Sequence, residues 1–178
     1  VLNDEIHYAR NVMKTNTTTV QTFVSINRGP AGVVNTGKIQ WFEPMDRKVG
    51  PATGFSVDAL DKLPRVDVIY AHANMSADLI DAAIKNGAKG LVIAGVGDGN
   101  MTTPALDAVT RAAKSGIVVV RSTRLASGIT LRNNEVNDDE KGLVASGELN
   151  PAKSRVLLQL ALTKTNDPVQ IQKMFYEY

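Results

Sequence analysis

Three short runs, Val66-Asp67-Val68-Ile69-Tyr70-Ala71, Gly90-Leu91-Val92-Ile93-Ala94 and Ile117-Val118-Val119-Val120, are almost continuously apolar, and amphipathic stretches of helical periodicity separate them. A strand with one face in water alternates apolar and polar residues, so runs without alternation must be covered on both faces. Parallel strands also need a long crossover between them, which an amphipathic helix supplies. The pattern predicts a small open α/β domain built on a parallel sheet.

The crossovers carry their own punctuation. Ser76 is expected to cap a helix over residues 77–86 with Leu79, Ile80 and Ala83 on its inner face. Thr103-Pro104 opens a second helix, because proline suits a first turn whose N–H groups have no helical partner anyway. Leu106, Val109 and Ala113 recur along it at helical spacing, and Gly116 ends it. Asn150-Pro151 and Asp167-Pro168 each join a capping side chain to a proline and start two more helices. Ile171, Met174, Phe175 and Tyr178 then fall at i, i+3, i+4 and i+7, a stripe that reads as core packing.

Ahead of this domain, residues 1–42 read as short β segments joined by polar turns. The turn Asn35-Thr36-Gly37, between Gly32-Val33-Val34 and Lys38-Ile39-Gln40-Trp41-Phe42, predicts a hairpin. Val1-Leu2 is apolar and runs into Asn3-Asp4-Glu5, as a strand entered part-way would. Between Glu43 and Pro64 periodicity fades, and Pro44, Gly50, Pro51, Gly54 and Pro64 mark a linker. The expected organisation is an appendage over 1–42, a linker over 43–64 and a domain over 65–178.

With 178 residues and 43% hydrophobic content, the chain can bury an ordinary core. Its 20 basic and 18 acidic residues are dispersed, and aromatics make up only 5%, so neither a basic stripe nor a stacking platform for nucleic acid is expected. No apolar run approaches the roughly 20 residues that span a bilayer, so no membrane segment is expected. The absence of cysteine excludes disulfides and thiolate metal sites. His7 and His72 share no ligand spacing with each other or with a carboxylate cluster, and no metal or cofactor is expected.

Open parallel sheets bind ligands beyond the C-terminal ends of their strands. The loop Gly95-Val96-Gly97-Asp98-Gly99-Asn100 lies at such an end, ahead of a helix whose positive pole faces it. It is a candidate dock for a phosphate or carboxylate, though a tight strand-to-helix corner is the plainer reading. Lys14, in Met13-Lys14-Thr15-Asn16-Thr17-Thr18-Thr19, stands among hydroxyl groups where a lysine of lowered basicity can handle protons, though an exposed lysine is the plainer reading. Glu135 lies in the polar stretch from Arg132 to Glu140, which composition alone reads as a solvated loop.

Several long blocks carry a resemblance: VLNDEIHYARNVMKTNTTT from Val1, GVVNTGKI from Gly32, LPRVDVIYAHAN from Leu63, AGVGDGN from Ala94 and VVRSTR from Val119. LVASGELNPAKSRVLLQLALT from Leu143 and the terminal QIQKMFYEY continue it in order. Together these resemble type II bacterial L-asparaginases over essentially the whole chain. The resemblance implies a small flavodoxin-like C-terminal domain preceded by the last part of a larger α/β N-terminal domain. It also implies that Lys14 is the family's catalytic lysine, that Asn100 is the asparagine lent to a neighbouring subunit's site, and that Glu135 helps recognise the substrate's α-amino group.

Further implications follow from the same resemblance. They are hydrolysis of L-asparagine to L-aspartate and ammonia through a threonine nucleophile, a homotetramer of intimate dimers with shared sites, and a periplasmic or secreted location. Family members with stronger glutaminase activity often carry serine where Asn100 stands, which implies asparagine preference. The nucleophile's TGGTI motif and the later GTDT motif are absent from these 178 residues, so the chain alone is expected to be inactive. Two other readings stand beside this one: a non-catalytic assembly and recognition half, and a stand-alone nucleotide-binding domain resting on the Gly95 loop.

Overall fold

The computed structural model describes residues 1–178 apart from Glu43, Met45 and Asp46, and the chain forms two compact units. The first comprises Val1–Arg47 with Ala126–Gly128, the second Lys48–Leu125 with Ile129–Tyr178. The linker expected over 43–64 begins on residues outside the described set.

In the first unit, β1 (Glu5–Ile6), β4 (Gly32–Asn35) and β5 (Lys38–Trp41) form an antiparallel sheet in the order β1-β4-β5. The predicted hairpin is present: Asn35 pairs with Lys38 across Thr36-Gly37, whose φ values of 49° and 76° define the left-handed two-residue turn that suits the twist of paired strands. A second small hairpin joins β2 (Met13–Lys14) to β3 (Phe23–Val24). Ala31 is the one buried apolar side chain among this unit's described residues, whereas Phe23, Ile39, Trp41 and Phe42 are exposed.

The second unit contains the predicted parallel sheet, β6 (Val66–Tyr70), β7 (Gly90–Gly95), β8 (Val118–Thr123) and β9 (Val144–Ala145), in the order β6-β7-β8-β9. Helices α1 (Asp78–Lys85) and α2 (Thr103–Lys114) cover one face, packing Ile80, Ala105 and Val109 against Leu91, Ile93 and Val119. On the other face, α4 (Pro151–Ala161) and α5 (Pro168–Glu177) pack Leu158, Ile171 and Phe175 against Val92, Val118 and Val120. Central strands β7 and β8 are buried along their whole length, as continuous apolar runs require. The edge strand β6 departs from the pattern, with Val68 and Tyr70 exposed.

Capping follows the sequence at α4 and α5, where Asn150 Oδ1 accepts from Lys153 N–H and Asp167 Oδ1 from Val169 N–H. At α1 it does not. Ala77 is the N-cap, while Ser76 Oγ accepts from Asp78 N–H just ahead of the first turn. Leu79, expected on the inner face, is exposed, because Ile80, Ala83 and Ile84 form the stripe that faces the sheet and Leu79 lies about 100° around the helix from Ile80.

Strand β9 and the short helix α3 (Asp138–Lys141) are too brief to show a period. Asn137 caps α3 by accepting from Glu140 N–H, and the Glu140 carboxylate accepts from Asn137 Nδ2 in return. The outer edge of β9 is closed by a side chain. Gln172 Oε1 accepts from Ala145 N–H and Gln172 Nε2 donates to Ala145 O, mimicking one more strand.

Preceding β6, a 3₁₀ turn (Gly50–Thr53) leads to Phe55, whose ring meets Tyr178 edge-on at 5.1 Å. Nearby, Lys48 and Glu177 form an ion pair. Their hydrogen bond holds the Glu177 carboxyl below, and the Lys48 ammonium above, its usual range.

Candidate functional site

Strand β7 ends at Gly95, and the chain folds back at once. Val96 and Asn100 exchange two backbone hydrogen bonds of 2.8 Å, so the loop closes on itself. A Cβ on Gly95 would lie 2.4 Å from the Gly99 carbonyl carbon, and Gly99 sits at φ 75°. Only glycine meets both demands. The amides of Val96 and Asn100 are thus committed to each other, and the loop carries its own anion, Asp98. The tight-corner reading accounts for its glycines without a bound phosphate.

Asp98 accepts from Leu131 N–H through Oδ1 at 2.7 Å and from Asn134 Nδ2 through Oδ2 at 2.8 Å. These bonds tie the Asn100 loop to the segment carrying Glu135. Beneath both lies an ion pair with no exposed surface: Arg121 donates Nε to Asp138 Oδ1 at 2.6 Å and Nη2 to Asp138 Oδ2 at 2.7 Å. The same guanidinium donates Nη1 to Asp98 O and Nη2 to Leu131 O, and Asp138 also accepts from Asn133 N–H. A buried charge pair is tolerable when its remaining donors and acceptors are filled, as they are here by the two loops.

Asn100 is half-buried and Glu135 exposed. Glu135 stands between Asn134, bonded to Asp98, and Val136, buried in the core under α1 and α2. Next along, the Asp139 carboxyl is held below its usual range by a hydrogen bond from Asn133 and then by one from Arg132. Arg132 itself bridges to Leu143 O and to Gln172 Oε1. An amide on one loop and a carboxylate on the other, with fixed backbones, can offer donors and acceptors to a small zwitterion.

Lys14 belongs to the first unit, in β2, whereas Asn100 and Glu135 belong to the second. Its Nζ donates to Asn16 O at 2.5 Å and Thr17 O at 3.0 Å, within an open depression of about 350 Å³ lined by residues 14–17. Thr22, buried, holds the loop shut by accepting from Asn16 N–H and donating to Asn16 O. His7 contacts Ser25 and Glu5, and His72 contacts Ala73 O. Among the described residues, no group of three or more His, Asp or Glu is placed to hold a metal ion, and no helix is long and apolar enough to cross a membrane.

Sequence reasoning named Asn100 and Glu135 but missed Asp98, Arg121 and Asp138. One signal was legible: Arg121 follows directly on Val118-Val119-Val120, and a cation continuing a buried strand requires a buried anion.

The fold and this strand-end constellation define an α/β protein of the open parallel-sheet class, with loop-borne polar groups beyond its strand ends. Residues 65–175 match the glutaminase/asparaginase C-terminal domain and residues 1–47 match the asparaginase N-terminal domain. The chain belongs to the asparaginase/glutaminase family. It is 48% identical over 178 residues to L-asparaginase 2 of Escherichia coli, covering 100% of this chain and 51% of that protein. Identity is 49% over 178 residues to L-asparaginase 2 of Bacillus subtilis, at 100% and 47% coverage. A probable periplasmic L-asparaginase of Haemophilus influenzae is 46% identical over 177 residues, at 99% and 51% coverage. The chain spans about half the length of these relatives.

Proposed function

We propose that this chain is the substrate-recognising part of an L-asparagine amidohydrolase, with L-glutamine as a lesser substrate. The observation that carries the reading is the joint anchoring of the Asn100 and Glu135 loops on Asp98 and the buried Arg121–Asp138 pair. Glu135 supplies acceptors and a counter-charge for the substrate's α-ammonium group, and Asn100 adds a neutral donor and acceptor. Lys14 handles the proton that the nucleophile releases.

In this reading a threonine outside the 178 residues attacks the side-chain amide carbon of asparagine. The new C–O bond gives a tetrahedral oxyanion, the C–N bond breaks, and the protonated nitrogen leaves as ammonia. Water then cleaves the acyl ester to give L-aspartate and the free hydroxyl. The working form is a homotetramer with sites shared between subunits, it is periplasmic or secreted, and no metal or cofactor takes part. The name of the Haemophilus relative supports the location.

A second reading rests on the absence of the TGGTI and GTDT motifs: alone, the chain is a non-catalytic half that binds amino acid only beside a complementary segment. One assay separates the two. Ammonia release from L-asparagine and L-glutamine is measured for the 178 residues alone and for the same residues joined to a complementary N-terminal segment. Activity in the joined form alone supports both statements, activity in the short chain excludes the second, and activity in neither excludes the first.

A further inference from the structure

We infer that Asp98 is a positioning residue that holds the Asn100 loop and the Glu135 segment in one fixed relation, so that substrate meets both at once. The inference rests on the site reading above and adds a residue that touches no substrate. Asp98 is half-buried, and three of its atoms are engaged: the carbonyl by Arg121 Nη1, Oδ1 by Leu131 N–H and Oδ2 by Asn134 Nδ2. Asn100 lies two residues after it and Glu135 directly follows Asn134. The Val96–Asn100 backbone pair and the close packing of Gly95 on Gly99 are internal to the loop and shape it. Two ties reach the other segment: Arg121 from below, through Asp98 O and Leu131 O, and the Asp98 carboxylate directly, through Leu131 N–H and Asn134 Nδ2. The carboxylate is the tie that reaches Asn134, next to Glu135.

The two carboxylate bonds are testable because their donors differ. Oδ1 accepts from the backbone N–H of Leu131, which no substitution there removes, while Oδ2 accepts from the side-chain amide of Asn134, which can be exchanged. Asp98→Ala removes both. Asn134→Asp keeps Asp98 but turns the second contact into two facing carboxylates. Combining Asp98→Asn with Asn134→Asp restores both bonds with the roles exchanged, because the introduced amide accepts from Leu131 through its oxygen and donates to the introduced carboxylate through its nitrogen.

The experiment uses the chain joined to a complementary N-terminal segment and measures kcat and KM for L-asparagine, the thermal midpoint, and amide exchange at Asn100 and Leu131. Each single variant should raise KM about tenfold, the worth of a charge-assisted hydrogen bond, with a much smaller change in kcat. The exchanged pair should bring KM back toward the parent value. Unchanged KM in both single variants, or a double variant worse than either, overturns the inference, as does a KM that merely follows the thermal midpoint. A parent that releases no ammonia counts against the site reading alone. The exchange measurement still decides the clamp, because Asp98→Ala must speed exchange at Leu131, and an unaltered rate overturns it.

Discussion

Glu135 depends for its place on its neighbours rather than on a bond of its own, since Asn134 is tied to Asp98 and Val136 is buried. Truncating it should therefore spare the fold and act on the ligand. In the joined form, Glu135→Ala is expected to weaken asparagine binding and turnover with assembly intact, measured by steady-state kinetics beside size-exclusion chromatography; unchanged kinetics would contradict its assigned role. Arg121 behaves oppositely. Arg121→Met strands a carboxylate with no exposed surface, and the expected loss is about 3–5 kcal/mol, read from the urea midpoint. The exposed carboxylates give a weaker, pH-dependent effect. Asp139 and Glu177 sit below their ordinary values of 3.8 and 4.5, so their contribution is complete above those values and is lost as pH falls through the lowered folded ones. Lys48, raised above 10.5, contributes below that value and loses its contribution as pH rises through the raised one. The thermal midpoint of Asp139→Asn and Glu177→Gln variants should accordingly fall less between pH 6 and pH 3 than that of the parent.

At the scale of an element, α1 separates what periodicity says from what packing allows. Leu79 and Ile80 look equivalent in sequence, yet Leu79 is 60% exposed and Ile80 0%. Ile80→Ala should cost about 2–5 kcal/mol through lost transfer energy and the cavity left behind, whereas Leu79→Ala should stay within about 0.5 kcal/mol. Equal losses in a denaturant titration would show that the helix is rotated from the position described. Strand β8 makes the same point about boundaries: its apolar run ends at Val120, but Arg121, Ser122 and Thr123 continue it because Asp138, the Leu149 carbonyl and the Leu125 N–H satisfy their side chains in turn.

For the whole molecule, the contrast between the two units matters most. The second has apolar cores on both faces of its sheet, while Ala31 is the single buried apolar side chain described in the first. Conformational entropy scales with the residues ordered, and so thin a core offsets little of it. In the isolated 178-residue chain, residues 1–42 should exchange their amides rapidly and promote aggregation through exposed Phe23, Ile39 and Trp41, while β7 and β8 stay protected. Full protection of residues 1–42 in a monomer would refute this.

Sequence alone determined whatever depends on local chemistry and period. The apolar runs specified three parallel strands, the Asn-Pro and Asp-Pro pairs started α4 and α5, and Thr36-Gly37 turned the hairpin, because each signal lies within a few residues of the structure it specifies. For Asn100 and Glu135 the candidate roles came from family resemblance, and for Lys14 the resemblance had to outweigh the plainer reading of an exposed lysine, since a loop amide, a loop carboxylate and a lysine among hydroxyl groups carry little local mark of function. Tertiary structure decided the rest. The pairing of β9 with β8, the closing of its edge by Gln172, and the meeting of Asp98, Arg121, Leu131 and Asp138 join residues 10 to 33 positions apart. No period or propensity records such partners, because their bonds exist only once the sheet has brought its strand ends together.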